Sequence, residues 1–97
     1  MSSGAFRENV VVATGASAGI GRALALRLAG ERAWLALGAR DAGRLQEVAE
    51  ACRARGGRAL AVPTDVSNED ACRALIACTV SEYGRVDSLV NNAGISM

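Results

Sequence analysis

Thr14-Gly15-Ala16-Ser17-Ala18-Gly19-Ile20-Gly21 decides how this chain is read, because it joins two segments of different hydrophobic period. Before it, Asn9 to Thr14 is a short β-branched apolar run, which predicts a strand buried on both faces. After it, Ile20, Leu24 and Leu28 recur with helical spacing while Arg22 and Arg27 lie off that stripe. A helix is therefore expected from Gly19 to about Gly30, with Gly30 as its terminator. A glycine-rich turn at such a junction sets free backbone N–H groups and the positive end of a helix where a pyrophosphate can be held. Gly15 permits the tight turn, Gly19 lets backbone approach the phosphates, and Gly21 lets the helix pack near the strand. The spacing is not GxGxxG, and an ordinary strand-to-helix turn is the competing reading. The absence of a following GK[ST] excludes a P-loop.

Outward from the turn, the same alternation continues. Ala33 to Ala39 is a second apolar run, and Leu45, Val48, Ala49 and Cys52 form an i, i+3, i+4, i+7 stripe closed by Gly56-Gly57. Asp41 is expected to cap that second helix. Ala59 to Pro63 predicts a third strand, and Ser67 offers an N-cap to a third helix with Glu69 and Asp70 in its first turn. That helix runs to about Tyr83 and Gly84, and Val86 to Asn91 gives a fourth strand. Strand and helix thus alternate as βαβαβαβ with short loops. This order forces parallel strands joined by right-handed crossovers, one half of a doubly wound parallel sheet in an α/β, three-layer fold.

Composition limits what such a fold can do. The chain has 97 residues, enough for one domain (1–97) with a modest core, and 51% hydrophobic against 22% charged residues is globular composition. A net charge of +1 with dispersed arginines argues against a nucleic-acid partner. No apolar run approaches membrane-spanning length, so a cytoplasmic protein without a membrane partner is expected. Cys52, Cys72 and Cys78 have no zinc-like spacing, and with no histidine in the chain no metal site is expected. All eleven basic residues are arginine, so neither lysine nor histidine can act as acid–base catalyst within this stretch.

Thr14 to Gly21 resembles the TGxxxGxG motif of the short-chain dehydrogenase/reductase family. Two further segments match that family in order: Asp65-Val66 after the third strand, and Asn91-Asn92-Ala93-Gly94 after the fourth, similar to its NNAG motif. The resemblance implies a Rossmann-type fold and a nicotinamide dinucleotide whose pyrophosphate lies on Gly15, Ser17, Ala18, Gly19, Ile20 and Gly21. It implies Asp65 and Val66 against the adenine ring, a structural role for Asn92, and cofactor contacts from Ala93 and Gly94. A glycine-rich methyltransferase would share the first βαβ unit but not the two later segments.

The choice of dinucleotide turns on the end of the second strand. A site that prefers NAD usually carries Asp or Glu there for the ribose 2′-hydroxyl. Ala39 occupies that position, and Arg40 follows with a planar cation suited to a 2′-phosphate. NADP(H) is expected to be preferred, with NAD(H) possible, although Ala18 stands where some NADP-dependent members carry a basic residue. A solvated loop arginine is the alternative for Arg40.

Hydride transfer to or from a carbonyl or alcohol carbon is the activity the resemblance implies, with catalytic serine, tyrosine and lysine beyond the NNAG segment. The sole tyrosine, Tyr83, has Asp87 four residues later, so the chain holds no Tyr-x-x-x-Lys. No catalytic residue is therefore assigned within 1–97, which is expected to be the incomplete, inactive N-terminal half of an enzyme. The resemblance also implies a small-molecule substrate and a homo-oligomer at full length. A non-catalytic NADP(H)-binding or regulatory module is the alternative if the natural chain ends at Met97.

Overall fold

The computed structural model describes residues 8–91. Its elements follow in the order β1 (Val10–Thr14), α1 (Gly19–Gly30), β2 (Trp34–Ala39), α2 (Ala42–Ala54), β3 (Arg58–Pro63), α3 (Glu69–Tyr83) and β4 (Ser88–Asn91). The four strands form one parallel sheet in the order β3-β2-β1-β4, with Val12 opposite Ala36 and Leu89. After β3 the chain crosses back over β1 to lay down β4, so the direction of winding reverses between β1 and β4. In open α/β sheets such a reversal opens a crevice at the carboxyl ends of the strands.

Because successive strand residues point to opposite faces, the apolar runs supply two cores. Val11, Ala13, Leu35 and Leu37 pack under α1 and α2 with Ala25, Leu28, Leu45, Val48 and Cys52. Val12 and Ala36 face the other way and meet Leu75 of α3, with Ile76, Tyr83 and Val86 partly buried around them. The three layers are helices, sheet and helix, as the strand–helix alternation predicts. Among the described residues β4 is an edge strand, and its Leu89 is 60% exposed.

Several local expectations are corrected. The buried residues of α1 are Gly21, Ala25, Leu26, Leu28 and Ala29; of the expected stripe Leu28 is buried and Leu24 packs against the core, whereas Ile20 is 52% exposed at the mouth of the turn. Small residues at i, i+4 and i+8 let the helix lie close on the sheet, and that close fit outweighs burial of the larger Ile20. α1 ends at Gly30 as expected, but Gly30 is not the residue that closes it: the cap is Glu31, and Arg32 takes the left-handed φ of 67°. Arg32 N–H donates to the Ala29 carbonyl and Ala33 N–H to that of Leu28, closing the last turn by backbone alone. At α2 the same closure falls on Gly56, with φ 101°, as expected. Ser67 is not the cap of α3. Its N–H and hydroxyl both donate to Asp65 Oδ1, at 3.0 and 2.6 Å, which completes a separate turn. Asn68 is left as the extended residue and accepts from Ala71 N–H. Asp41 caps α2 as expected, accepting from Arg44 N–H at 3.0 Å.

β4 is anchored to β1 at both ends. Asp87 exchanges bonds with Val10, its N–H donating to the Val10 carbonyl and its carboxylate accepting Val10 N–H, each at 2.8 Å. That bond and Arg85 hold the Asp87 carboxyl below its ordinary range. At the carboxyl end, Thr14 Oγ1 donates to Asn91 Oδ1 at 2.8 Å.

Candidate functional site

The site assembles at the carboxyl ends of the strands. Gly15 leaves β1 with φ 63° and Gly19 enters α1 with φ 60°, both in the left-handed region that favours glycine. A Cβ on Gly19 would meet nothing within 4 Å, whereas one on Gly21 would lie 2.0 Å from the Gly15 carbonyl oxygen. Gly21 therefore sets how closely α1 approaches the turn, and Gly19 faces open space.

The start of α1 differs from those of the other two helices. Asp41 and Asn68 close α2 and α3 with side-chain hydrogen bonds, and α3 adds Glu69 and Asp70 to its first turn. At α1 the cap is Ala18, with no side-chain bond and no acidic residue in the first turn. The first amides of α1 thus meet no acceptor from their own cap, and no carboxylate in that turn offsets the positive helix end.

Beside this turn is a cleft of about 410 Å³. Its walls are Gly15 and Ser17 of the turn, Ala39, Arg40 and Asp41 after β2, and Thr64, Val66 and Ser67 after β3. Thr64 is buried, and its hydroxyl donates to the Val62 carbonyl at 2.7 Å, so the cleft wall beneath Val66 is internally satisfied. Val66 also lines an adjoining cleft of about 180 Å³, together with Val12, Thr14, Cys72, Leu75 and Asn91. An apolar side chain 37% exposed between two clefts is suited to one face of a flat ring.

The structure brings Gly15, Ser17, Ala18, Gly19, Ile20, Gly21, Arg40, Asp65 and Val66 to this end of the sheet. Asn92, Ala93 and Gly94 lie outside the described residues. Arg40 Nη2 donates to Asp65 Oδ1 at 3.1 Å, a pairing of the ends of β2 and β3 that the sequence reading did not anticipate. The Ser67 hydroxyl and N–H, followed by Arg40, hold the Asp65 carboxyl below its ordinary range. The wall residue Thr64 and the Thr14–Asn91 bond were also missed, since both depend on strand register.

Tyr83 lies at the other end of the sheet. Its hydroxyl donates to the Leu35 carbonyl at 2.9 Å, and its ring sits 5.6 Å from that of Trp34. The Arg58 guanidinium lies 4.7 Å from the centre of the Trp34 ring. Burial raises the Tyr83 pKa. A phenol bonded to backbone and remote from the glycine turn is a packing residue. Among the described residues no group of three or more His, Cys, Asp and Glu side chains is placed to hold a metal ion, and no helix is long and apolar enough to cross a membrane.

Comparison with known proteins places this architecture. The 11-beta-hydroxysteroid dehydrogenase 1A of Arabidopsis thaliana is 48% identical over 96 residues, which cover 94% of this chain and 28% of that protein. The 3beta-hydroxysteroid dehydrogenase of Mediterraneibacter gnavus is 44% identical over 92 residues, covering 95% and 33%. The chain therefore spans a third or less of the length of these relatives. Among solved structures, a short chain dehydrogenase of Mycobacterium thermoresistibile superposes with a TM-score of 0.89 at 34% identity, covering 96% of this chain and 36% of that one. A short chain dehydrogenase/reductase of Burkholderia phymatum, in complex with NAD, gives 0.83 at 37% identity, covering 87% and 30%. The short chain dehydrogenase family model matches residues 9–97, nearly the whole sequence, and on that match the chain belongs to the short chain dehydrogenase family.

Proposed function

We propose that this chain is the dinucleotide-binding part of an oxidoreductase that moves hydride between NADP(H) and a carbonyl or alcohol carbon. One observation carries the reading: a glycine turn feeds an uncapped helix N-terminus at the carboxyl ends of a parallel sheet, beside a cleft. The residues fit a dinucleotide. Amides of the turn and of α1 supply donors for a pyrophosphate, the open space at Gly19 admits it, and Val66 offers an apolar wall for adenine. Asn92 is assigned to structure and Ala93 and Gly94 to cofactor contact, by family likeness.

The dinucleotide supplies the hydride chemistry when bound; these residues bind and orient it. The acid–base groups are assigned outside residues 1–97, because the chain has no lysine and Tyr83 is held by the Leu35 carbonyl. Relatives named for hydroxysteroids support only a small carbonyl or alcohol substrate.

Preference for NADP(H) rests on Ala39 and Arg40. No carboxylate stands at position 39 to repel a 2′-phosphate, and the Arg40 guanidinium lies at the rim of the cleft. Arg40→Ala in the complete natural polypeptide is expected to weaken NADPH binding about 10- to 100-fold, the worth of a charged hydrogen-bonded contact. NADH binding should change less than about threefold, by the small worth of exposed surface charges. Titration of both cofactors by nicotinamide fluorescence checks this, and equal losses for the two would contradict it.

A further inference from the structure

The rim of the cleft carries an ion pair between the two residues to which 2′-phosphate and adenine contacts are assigned. Arg40 Nη2 donates to Asp65 Oδ1 at 3.1 Å, and the two side chains are 73% and 47% exposed. The Asp65 carboxylate is fixed from its own side by the Ser67 hydroxyl and N–H, so it is a rigid acceptor toward which Arg40 reaches. The neighbouring carboxylate, Asp41, is committed elsewhere, capping α2 and lying 3.7 Å from the Arg44 guanidinium. Asp65 is therefore the carboxylate that meets the charge of Arg40.

A guanidinium already facing a carboxylate offers an incoming dianion less net attraction than a free one. We infer that Asp65 is a specificity-determining residue: by offsetting part of the Arg40 charge it reduces the advantage of a 2′-phosphorylated dinucleotide and keeps the site usable by the 2′-hydroxyl form. The inference rests on Arg40 facing the ribose 2′ position, as proposed above. Repulsion between the Asp65 carboxylate and a 2′-phosphate falls on NADP(H) alone. Any adenine contact by Asp65 is common to both cofactors and cancels in the ratio of their affinities.

Asp65→Asn tests this in the complete natural polypeptide. Asparagine keeps an oxygen for Ser67 and Arg40, removes the charge and puts an amide NH2 in place of the second oxygen. The NADPH-to-NADH affinity ratio is expected to rise about three- to tenfold at low salt, the scale of exposed charge interactions, and to rise less at high salt. Asp65→Ser, which also keeps an acceptor oxygen, should move the ratio in the same direction. An unchanged or lowered ratio in both variants, while Arg40→Ala still removes the NADPH preference, overturns the inference and leaves the Arg40 assignment standing. If Arg40→Ala itself leaves the ratio unchanged, the Arg40 assignment fails, and the role of Asp65 falls with it.

Discussion

Gly21→Ala is expected to destabilise the fold by about 3 kcal/mol or more and to abolish dinucleotide binding in whatever protein remains folded. The new Cβ would lie 2.0 Å from the Gly15 carbonyl oxygen, 2.8 Å from the Gly15 carbonyl carbon and 3.2 Å from Ala16 Cα. All three are backbone atoms, so no side chain can swing aside. Either α1 lifts from β1 or the turn is rebuilt. Alanine gains about 1 kcal/mol of helix propensity over glycine, too little to offset such a clash. Against a typical total stability of about 5–15 kcal/mol the loss is large. A denaturant melt of Gly21→Ala beside the parent protein checks it, and coincident transitions would contradict the close packing of α1 on the turn.

Leu75→Ala is expected to cost about 2–5 kcal/mol, by lost burial and the cavity left behind. Leu75 is 1% exposed, and its Cδ2 lies 2.8 Å from where a Cβ on Gly38 would stand, so it fills the space that glycine leaves in β2. The core under α3 has few buried members, Val12, Ala36 and Leu75, whereas α1 and α2 share a much larger one. Loss of Leu75 should therefore loosen α3 first, and with it Val66 and the cleft wall. Amide hydrogen exchange in Leu75→Ala is expected to rise earlier in α3 than in α1 or α2. Val80→Ala, at a position 46% exposed on the same helix, serves as the control and should change stability little.

The elements that sequence made legible are those set by local chemistry or strict periodicity. The β-branched run from Val10, the glycine turn and the Asp41 cap need only short-range rules, and all three stand where they were expected. Features that depend on competition between neighbours were misplaced. Ser67 and Asn68 are both good caps, and what decides between them is the carboxylate of Asp65, which draws the Ser67 hydroxyl into its own turn. Of the helical stripe Ile20, Leu24 and Leu28, the last two reach the core, yet Ile20 stays exposed while Gly21, Ala25 and Ala29 are buried, because side-chain size governs how near a helix can come to a sheet. A glycine stands at the end of both helices, but the left-handed conformation falls on Gly56 after α2 and on Arg32, not Gly30, after α1. The Arg40–Asp65 pair joins residues 25 apart and follows from β2 and β3 lying side by side in parallel register, which no single segment encodes.

The most direct test of the proposed site is an amide NMR titration of the complete natural polypeptide with NADPH. Binding at the glycine turn should shift the backbone amides of Gly15, Ser17, Gly19, Ile20, Gly21, Arg40 and Val66 while leaving Trp34, Arg58 and Tyr83, at the opposite end of the sheet, unmoved. Saturable binding that shifts the Trp34–Arg58–Tyr83 end instead, or no binding of NADPH at all, would contradict it.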